Sequence, residues 1–209
     1  MLGIFKDRLG SNIPSYPLYL LLGIILFNFF RKIADKAVIA IRDNAGLIKS
    51  LRFQKESLII SIVINIIFNH IFEIIVLIAF LIFFDIPLKT MLFYPIILIF
   101  LTIFSIGTAL ILASLGTYMF DLNQIWGFLA NIIWFITPIF YEIGWQDNLF
   151  LLNLLNPMYY IITAARDLII YSRLPEWWIM LGMIIYSLLA LIIGLFLFNK
   201  LKKRFAELI

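Results

Sequence analysis

Asn156-Pro157-Met158-Tyr159-Tyr160-Ile161-Ile162-Thr163-Ala164-Ala165-Arg166-Asp167 sits inside a mostly apolar run from Leu149 to Tyr171. A plain membrane span does not carry an Asn-Pro pair near its start and an Arg-Asp pair near its end. A soluble loop does not contain Met-Tyr-Tyr-Ile-Ile. Whether this stretch crosses a membrane, lies on it, or dips in and returns fixes the topology of the whole chain.

The surroundings narrow the choice. The chain has 209 residues, of which 64% are hydrophobic, 17% aromatic and only 13% charged, and its mean hydropathy is +1.08. Soluble domains run at roughly 45–50% apolar and about 25% charged, so the composition is that of a membrane protein. Apolar blocks recur throughout, which predicts a single domain over 1–209, an all-α polytopic bundle whose backbone satisfies its own hydrogen bonds. A β-barrel is excluded because runs such as Ser57–Phe68 do not alternate. With no cysteine, disulfides and thiolate chemistry are ruled out. The formal charge of +4 gathers at the edges of apolar segments, where anionic lipid or a cytoplasmic partner explains it and nucleic acid does not. The first ten residues lack the apolar core of a signal peptide.

Four long apolar segments stand out: Ser57–Phe84, Met91–Leu115, Gln124–Phe140 and Trp178–Asn199. A fifth starts at Pro17, meets Arg31, Lys32, Asp35 and Lys36, and keeps a helical pattern to Ile41, which predicts a helix leaving the membrane and continuing into water. Trp177, Trp178 and the Tyr141–Trp145 region have the character of interfacial belts. Lys and Arg number seven between Arg31 and Glu56 and four in the tail from Lys200 to Arg204. The positive-inside rule places both in the cytoplasm, so the C-terminus is cytoplasmic. Parity then decides the opening question. With Gln124–Phe140 running outward and the tail inside, Leu149–Tyr171 must dip and return, and Asn156-Pro157 supplies the break.

Within the membrane, Ser61, Asn65, Asn69 and Glu73 step by four residues along one helix face, with His70 beside them. An ionisable group facing lipid there is expensive. The spacing is compatible with a translocation path or proton relay, and equally with a polar contact between helices. His70 and Glu73 are too few to hold a metal, and the hydrolase signatures are missing. Small residues recur every fourth position at Ser105, Ala109, Ala113 and Thr117, and again at Ala190 and Gly194, as close helix packing or a dimer seam would require. In the loop after the first helix, Asp43 or Asn44 can cap a short helix with Leu47, Ile48 and Leu51 on one face, flanked by Lys49, Arg52 and Lys55. Such a helix lies on a membrane surface or docks on a partner.

Four stretches in order then resemble one family. Asn44 to Lys49, followed by Phe53-Gln54-Lys55-Glu56, is similar to an N-x-x-L-I-x-K…F-P-x-E coupling region. Phe120-Asp121-Leu122 is similar to an F-R-D turn, Trp134 to Tyr141 to an apolar-(S/T)-P-apolar-x-Y helix end, and Asn156-Pro157-Met158-Tyr159 with Arg166 to an N-P-apolar…R external segment. The family is the membrane subunits of type-2 ABC exporters, in the branch that moves O-antigen, capsule or teichoic-acid chains. Gln54 and Phe120 depart from the pattern at the expected proline and arginine. The family has six spans, and only the last five are visible here.

The resemblance implies a permease rather than an enzyme. A coupling region at 42–56 would dock a separate ATPase through Asn44, Leu47, Ile48, Lys49, Leu51, Phe53 and Glu56, with ATP and Mg held on that partner. No G-x-x-x-x-G-K-(S/T) occurs in this chain. Two copies would enclose a conduit for a lipid-linked glycan, with 149–171 as a re-entrant external hairpin at its outer mouth. Phe27, Phe30, Trp134, Tyr141, Asn156, Pro157, Tyr159, Tyr160 and Arg166 are the path or gate candidates, and Phe29 is a further aromatic one. Aromatic rings offer stacking faces for sugars. Asn69, His70 and Glu73 are the intramembrane polar set. The competing readings are an exporter of drugs or other lipids and a membrane-embedded enzyme acting on lipid-linked substrates.

Overall fold

The computed structural model describes residues 15–50, 53–141 and 147–208. Every regular element among them is helical. Helix α1 (Tyr16–Asp43) is followed by the short α2 (Ala45–Ser50), then α3 (Glu56–Phe83). A 3₁₀ turn (Leu88–Phe93) leads into α4 (Tyr94–Tyr118), and α5 (Leu122–Ile136) follows. Helices α6 (Asp147–Leu154) and α7 (Pro157–Ile169) precede α8 (Trp177–Leu201), a second 3₁₀ turn (Lys202–Arg204) and α9 (Phe205–Leu208).

Four helices are long and apolar enough to cross a membrane: Tyr16–Asp43, Glu56–Phe83, Leu88–Tyr118 and Trp177–Arg204. The fifth expected span is shorter than its sequence suggests. Thr137 adopts an extended conformation ahead of Pro138, so α5 stops at Ile136 instead of Phe140. At ~1.5 Å per residue its fifteen residues reach about 22 Å. The mostly apolar run from Leu149 to Tyr171 is likewise two pieces, because Pro157 opens a new helix with Asn156 as its N-cap.

The central element is α1, mostly buried along its apolar stretch, whereas α3 and α8 are mostly exposed along theirs and form the outside. Past Phe30 the helix is two-faced, with Lys32, Asp35 and Lys36 exposed. Ile33, Ala34, Ala37, Val38 and Ile41 stay in the core, and the charges lie on the remaining faces where neighbouring helices meet them. Arg31 donates to Asn131 at 2.9 Å and lies 3.6 Å from Asp35. Trp126 donates its indole N–H to Asp35 at 2.7 Å. The helix therefore stays packed as far as Asn44, whose amide donates back to the Ala40 carbonyl at 2.8 Å. The Asn44 side chain thus closes α1, while its carbonyl accepts from the Ile48 N–H at 3.0 Å in α2.

The small-residue ladders are used inside the chain. A Cβ on Gly107 would strike the Ala190 backbone, and one on Gly194 would strike Gly107, so α4 and α8 meet backbone to backbone. Ser105, Ala109, Ala113 and Thr117 are all buried.

The two ends of the bundle are tied differently. At one end Lys55 donates to the Lys202 carbonyl at 2.7 Å and lies over the Phe205 ring, while Lys202 pairs with Glu56. Tyr118 donates to Leu201 at 3.4 Å, and Arg42 to the Phe120 carbonyl at 3.2 Å. The C-terminal ends of α1, α4 and α8 thus meet the N-terminal end of α3. At the other end Tyr16 and Tyr19 donate to the carbonyls of Phe140 and Tyr141, both at 2.9 Å.

Candidate functional site

Two polar assemblies interrupt the apolar bundle. The first joins stretches that are remote in sequence. Asn156 accepts from the Met158 N–H at 3.1 Å and donates through its amide to the Thr137 hydroxyl at 2.8 Å. Arg166, only 4% exposed, sends one amino group to the Pro138 carbonyl at 2.6 Å. The other reaches the Ile139 carbonyl at 3.0 Å and the Tyr19 carbonyl at 3.2 Å. Its guanidinium centre stacks 3.3 Å from the Tyr19 ring centroid. The absence of a side chain at Gly23 makes room: a Cβ there would stand 2.8 Å from the Arg166 amino group.

The turn at 137–141 has carbonyls that no helix can satisfy, and the planar fork of an arginine serves several of them at once. Two of the sequence candidates, Asn156 and Arg166, therefore form one clamp with the Thr137-Pro138 turn, and Pro157 starts the helix that carries Arg166. Helix α7 is buried at every position from Met158 to Ile169 except Thr163. Tyr159 and Tyr160 are packed against Trp178, and Tyr160 donates to the Leu154 carbonyl at 2.9 Å.

Beside the clamp lies a cavity of about 110 Å³, lined by Tyr19, Tyr159, Thr163, Asp167, Tyr171 and Arg173 together with Arg166 and Pro138. Arg173 donates to Asp167 at 2.7 Å through Nε, with a second nitrogen at 2.6 Å. Burial pushes the Asp167 carboxyl above its usual range, against the opposing hydrogen bond and charge of Arg173. Burial, with the neighbouring Tyr160 and Glu176, pushes the Tyr159 phenol up to about 12. Arg173 and Tyr19 were not singled out from the sequence as site residues, because nothing local distinguishes them from ordinary loop and core residues.

The second assembly crosses three long helices. Lys32 of α1 donates to Glu73 of α3 at 2.5 Å. Glu73 meets the Nδ1 of His70 at 2.6 Å, and the Nε2 of His70 lies 2.7 Å from the hydroxyl of Tyr94 at the start of α4. The His70 ring also packs edge-on against Phe29 at 4.9 Å. Of the two readings open at the sequence level, these contacts form a polar link between helices. Asn69 stands apart: it is exposed and bonds to Asn65 at 3.1 Å along the same helix. Lys32 and Tyr94 were missed in sequence, the one counted as a loop charge and the other read as part of a plain span. Among the described residues no group of three or more His, Asp or Glu side chains is placed to hold a metal.

In the coupling region, Ile48 is buried while Leu47 is 46% exposed and Lys49 faces outward. Phe53 and Glu56 are partly buried at the start of α3; Leu51 lies outside the described residues. At the Phe120-Asp121 turn the expected arginine is replaced, but Arg42 of α1 comes within 5.4 Å of the Phe120 ring and supplies a cation there. Among the aromatic path candidates, Phe27 and Phe30 sit inside the protomer core, edge-on to Trp134 at 4.8 Å and to Trp126 at 6.2 Å respectively. Filling gaps between helices accounts for them. Phe29 is fully buried too, while Trp134 and Tyr141 keep partial exposure.

The sequence has relatives among known proteins. Residues 2–170 match the ABC-2 type transporter membrane family. An O-antigen export system permease protein RfbA of Klebsiella pneumoniae is 29% identical over 211 residues, spanning 99% of this chain and 80% of the relative. A second such protein from the same organism is 27% identical over 209 residues, with the same coverage. One from Myxococcus xanthus is 24% identical over 208 residues, spanning 98% of this chain and 80% of its own length. The chain belongs to the ABC-2 type transporter family.

Proposed function

We propose that this member of the ABC-2 type transporter family is the membrane subunit of an exporter that carries lipid-linked polysaccharide of the O-antigen, capsule or teichoic-acid type across the cytoplasmic membrane. Similarity to O-antigen export permeases along 98–99% of the chain carries this reading. Energy comes from a separate ATPase chain holding ATP and Mg, and two copies of the permease enclose the path.

The orientation follows from charge and contact. Lys49, Lys55, Lys200, Lys202 and Lys203 gather at the end where Lys55 meets Lys202 and Tyr118 meets Leu201, and the positive-inside rule assigns that end to the cytoplasm. Helix α5 starts at this end and α8 returns to it. Residues 137–176 then begin and finish on the outer side, which supports re-entry of the α6–α7 hairpin. Thirteen residues in α7 fall in the range expected of a buried or re-entrant helix.

The α2 helix has the form of a docking element. Ile48 anchors it, and Leu47 and Lys49 are left for a cytoplasmic partner. Leu47→Glu should weaken retention of the cognate ATPase in co-purification by about tenfold, the equivalent of ~1.4 kcal/mol. Unchanged retention would remove α2 from the interface. For the substrate, cells lacking the chain should lose surface polysaccharide and retain it inside, with recovery on re-expression. Unaltered surface polysaccharide alongside impaired efflux of drugs or other lipids would move the assignment to that class.

A further inference from the structure

The cavity beside Arg166 has a chemistry that ordinary packing does not require. A closed apolar cavity of ~150 Å³ takes a benzene ring. At about 110 Å³ this one is somewhat smaller, but one wall is a side chain that can move. Arg173 is 66% exposed in its side chain, and it covers Asp167, whose side chain is only 7% exposed. Ser172 adopts a left-handed backbone at φ 51°, which turns the chain so that Arg173 folds back onto the end of α7. Its N–H also donates to the Asp167 carbonyl at 2.9 Å. Swinging the guanidinium into water enlarges the cavity and uncovers the carboxylate.

The lining selects among ligand classes. An anion is disfavoured by Asp167, and the fork of Arg166 is already committed to three carbonyls. A purely apolar group would bury the carboxylate and the Thr163 hydroxyl against nothing. A neutral ring bearing hydroxyls satisfies both constraints. Its hydroxyls donate to a carboxylate and accept from a guanidinium, and its C–H face lies against tyrosine rings, of which Tyr159 and Tyr171 line the cavity.

We infer that this cavity is a subsite for one neutral hexopyranose residue, in which the Asp167–Arg173 ion pair opens and both side chains turn to sugar hydroxyls while Tyr159 and Tyr171 hold the ring. The inference rests on the polysaccharide reading proposed above and adds the place where a sugar unit is held at the outer face. Binding is non-covalent and weak, as passage of a polymer demands.

The test is saturation-transfer NMR on the full chain in lipid nanodiscs. The probes are the methyl α-pyranosides of glucose, galactose, mannose and rhamnose, with galacturonate and inorganic phosphate as anionic competitors. At least one neutral glycoside should show saturable transfer that falls fivefold or more in Asp167→Asn and in Tyr171→Leu. Circular dichroism confirms that each variant is folded, and Thr163→Val replaces either one that is not. Absence of transfer from every neutral glycoside overturns the subsite, as does transfer undiminished by these substitutions or displacement by the anions. Failure of the export reading is separately visible, as surface polysaccharide that does not depend on the chain at all.

Discussion

Arg166 and Lys32 are both cations set among apolar helices, and the bundle accommodates them in opposite ways. Arg166 is 4% exposed and gives its amino groups to three backbone carbonyls and its face to Tyr19. Lys32 keeps 51% of its side chain exposed and reaches a single carboxylate, Glu73, itself 24% exposed. The first arrangement satisfies a turn that the helices leave open, so the charge is incidental to the fork geometry. The second is an ion pair whose partners retain access to the surroundings. A guanidinium used as a multiple donor should thus matter more to the fold than an ion pair of formally equal charge.

The sharpest way to break that comparison is Arg166→Met. It leaves the carbonyls of Tyr19, Pro138 and Ile139 without their donor and removes the group that packs against Gly23. Hydrogen bonds to a charged group contribute ~1.5–3 kcal/mol each, and they are not additive. A loss of about 3 kcal/mol or more is expected, lowering the melting temperature in nanodiscs by roughly 6 °C or more. Arg166→Lys should recover only part of this, since an ammonium cannot reproduce the fork. Recovery in full would show that charge alone is what the site requires.

Glu73→Gln is the matching change at the other cation and should cost about 1 kcal/mol. It weakens the links to Lys32 and His70, but Lys32 can turn outward. A double-mutant cycle with Lys32→Met isolates the pair, and a coupling of ~0.5–1 kcal/mol is expected. A coupling as large as the whole effect of Arg166→Met would reverse the ranking of the two sites.

The same contrast explains what could be read from the sequence. The long apolar helices were legible because lipid demands continuous runs, and the end of α5 was misjudged by four residues because Ile139 and Phe140 extend the apolar run past the Thr137-Pro138 break. Asn156-Pro157 was legible as a helix start, since proline restricts the residue before it and suits the first turn. That Thr137, Asn156 and Arg166 would meet was not legible, because carbonyls on an irregular turn leave no signature in side-chain identity. Likewise His70 and Glu73 announced a polar contact, yet their partners Lys32 and Tyr94 come from other helices, 38 and 24 residues from His70, and periodicity along one helix carries no information across helices. The partners of the charged half of α1 are hidden for the same reason: its pairing with Asn131, Trp126 and Glu73 exists only in the packed bundle.

Asp167 offers the finest discrimination, because its partner Arg173 belongs to the exposed kind while Asp167 itself is buried. Burial raises its carboxyl above the ~3.9 of an unfolded chain, with Arg173 offsetting only part of the effect. The sign follows directly. Between the two values the folded protein holds a proton that the unfolded chain has released, so the ionised group weighs against the fold at pH 7 and ceases to do so as pH falls through the folded value. Asp167→Asn should therefore melt at or slightly above the parent at pH 7, with the difference shrinking toward zero as the pH is lowered toward about 4. If the variant instead melts lower at pH 7 and the gap closes on acidification, the Arg173 ion pair outweighs burial. Asp167 would then belong with Arg166 as a fastening of the outer end, and its carboxylate would be too tightly held to exchange partners.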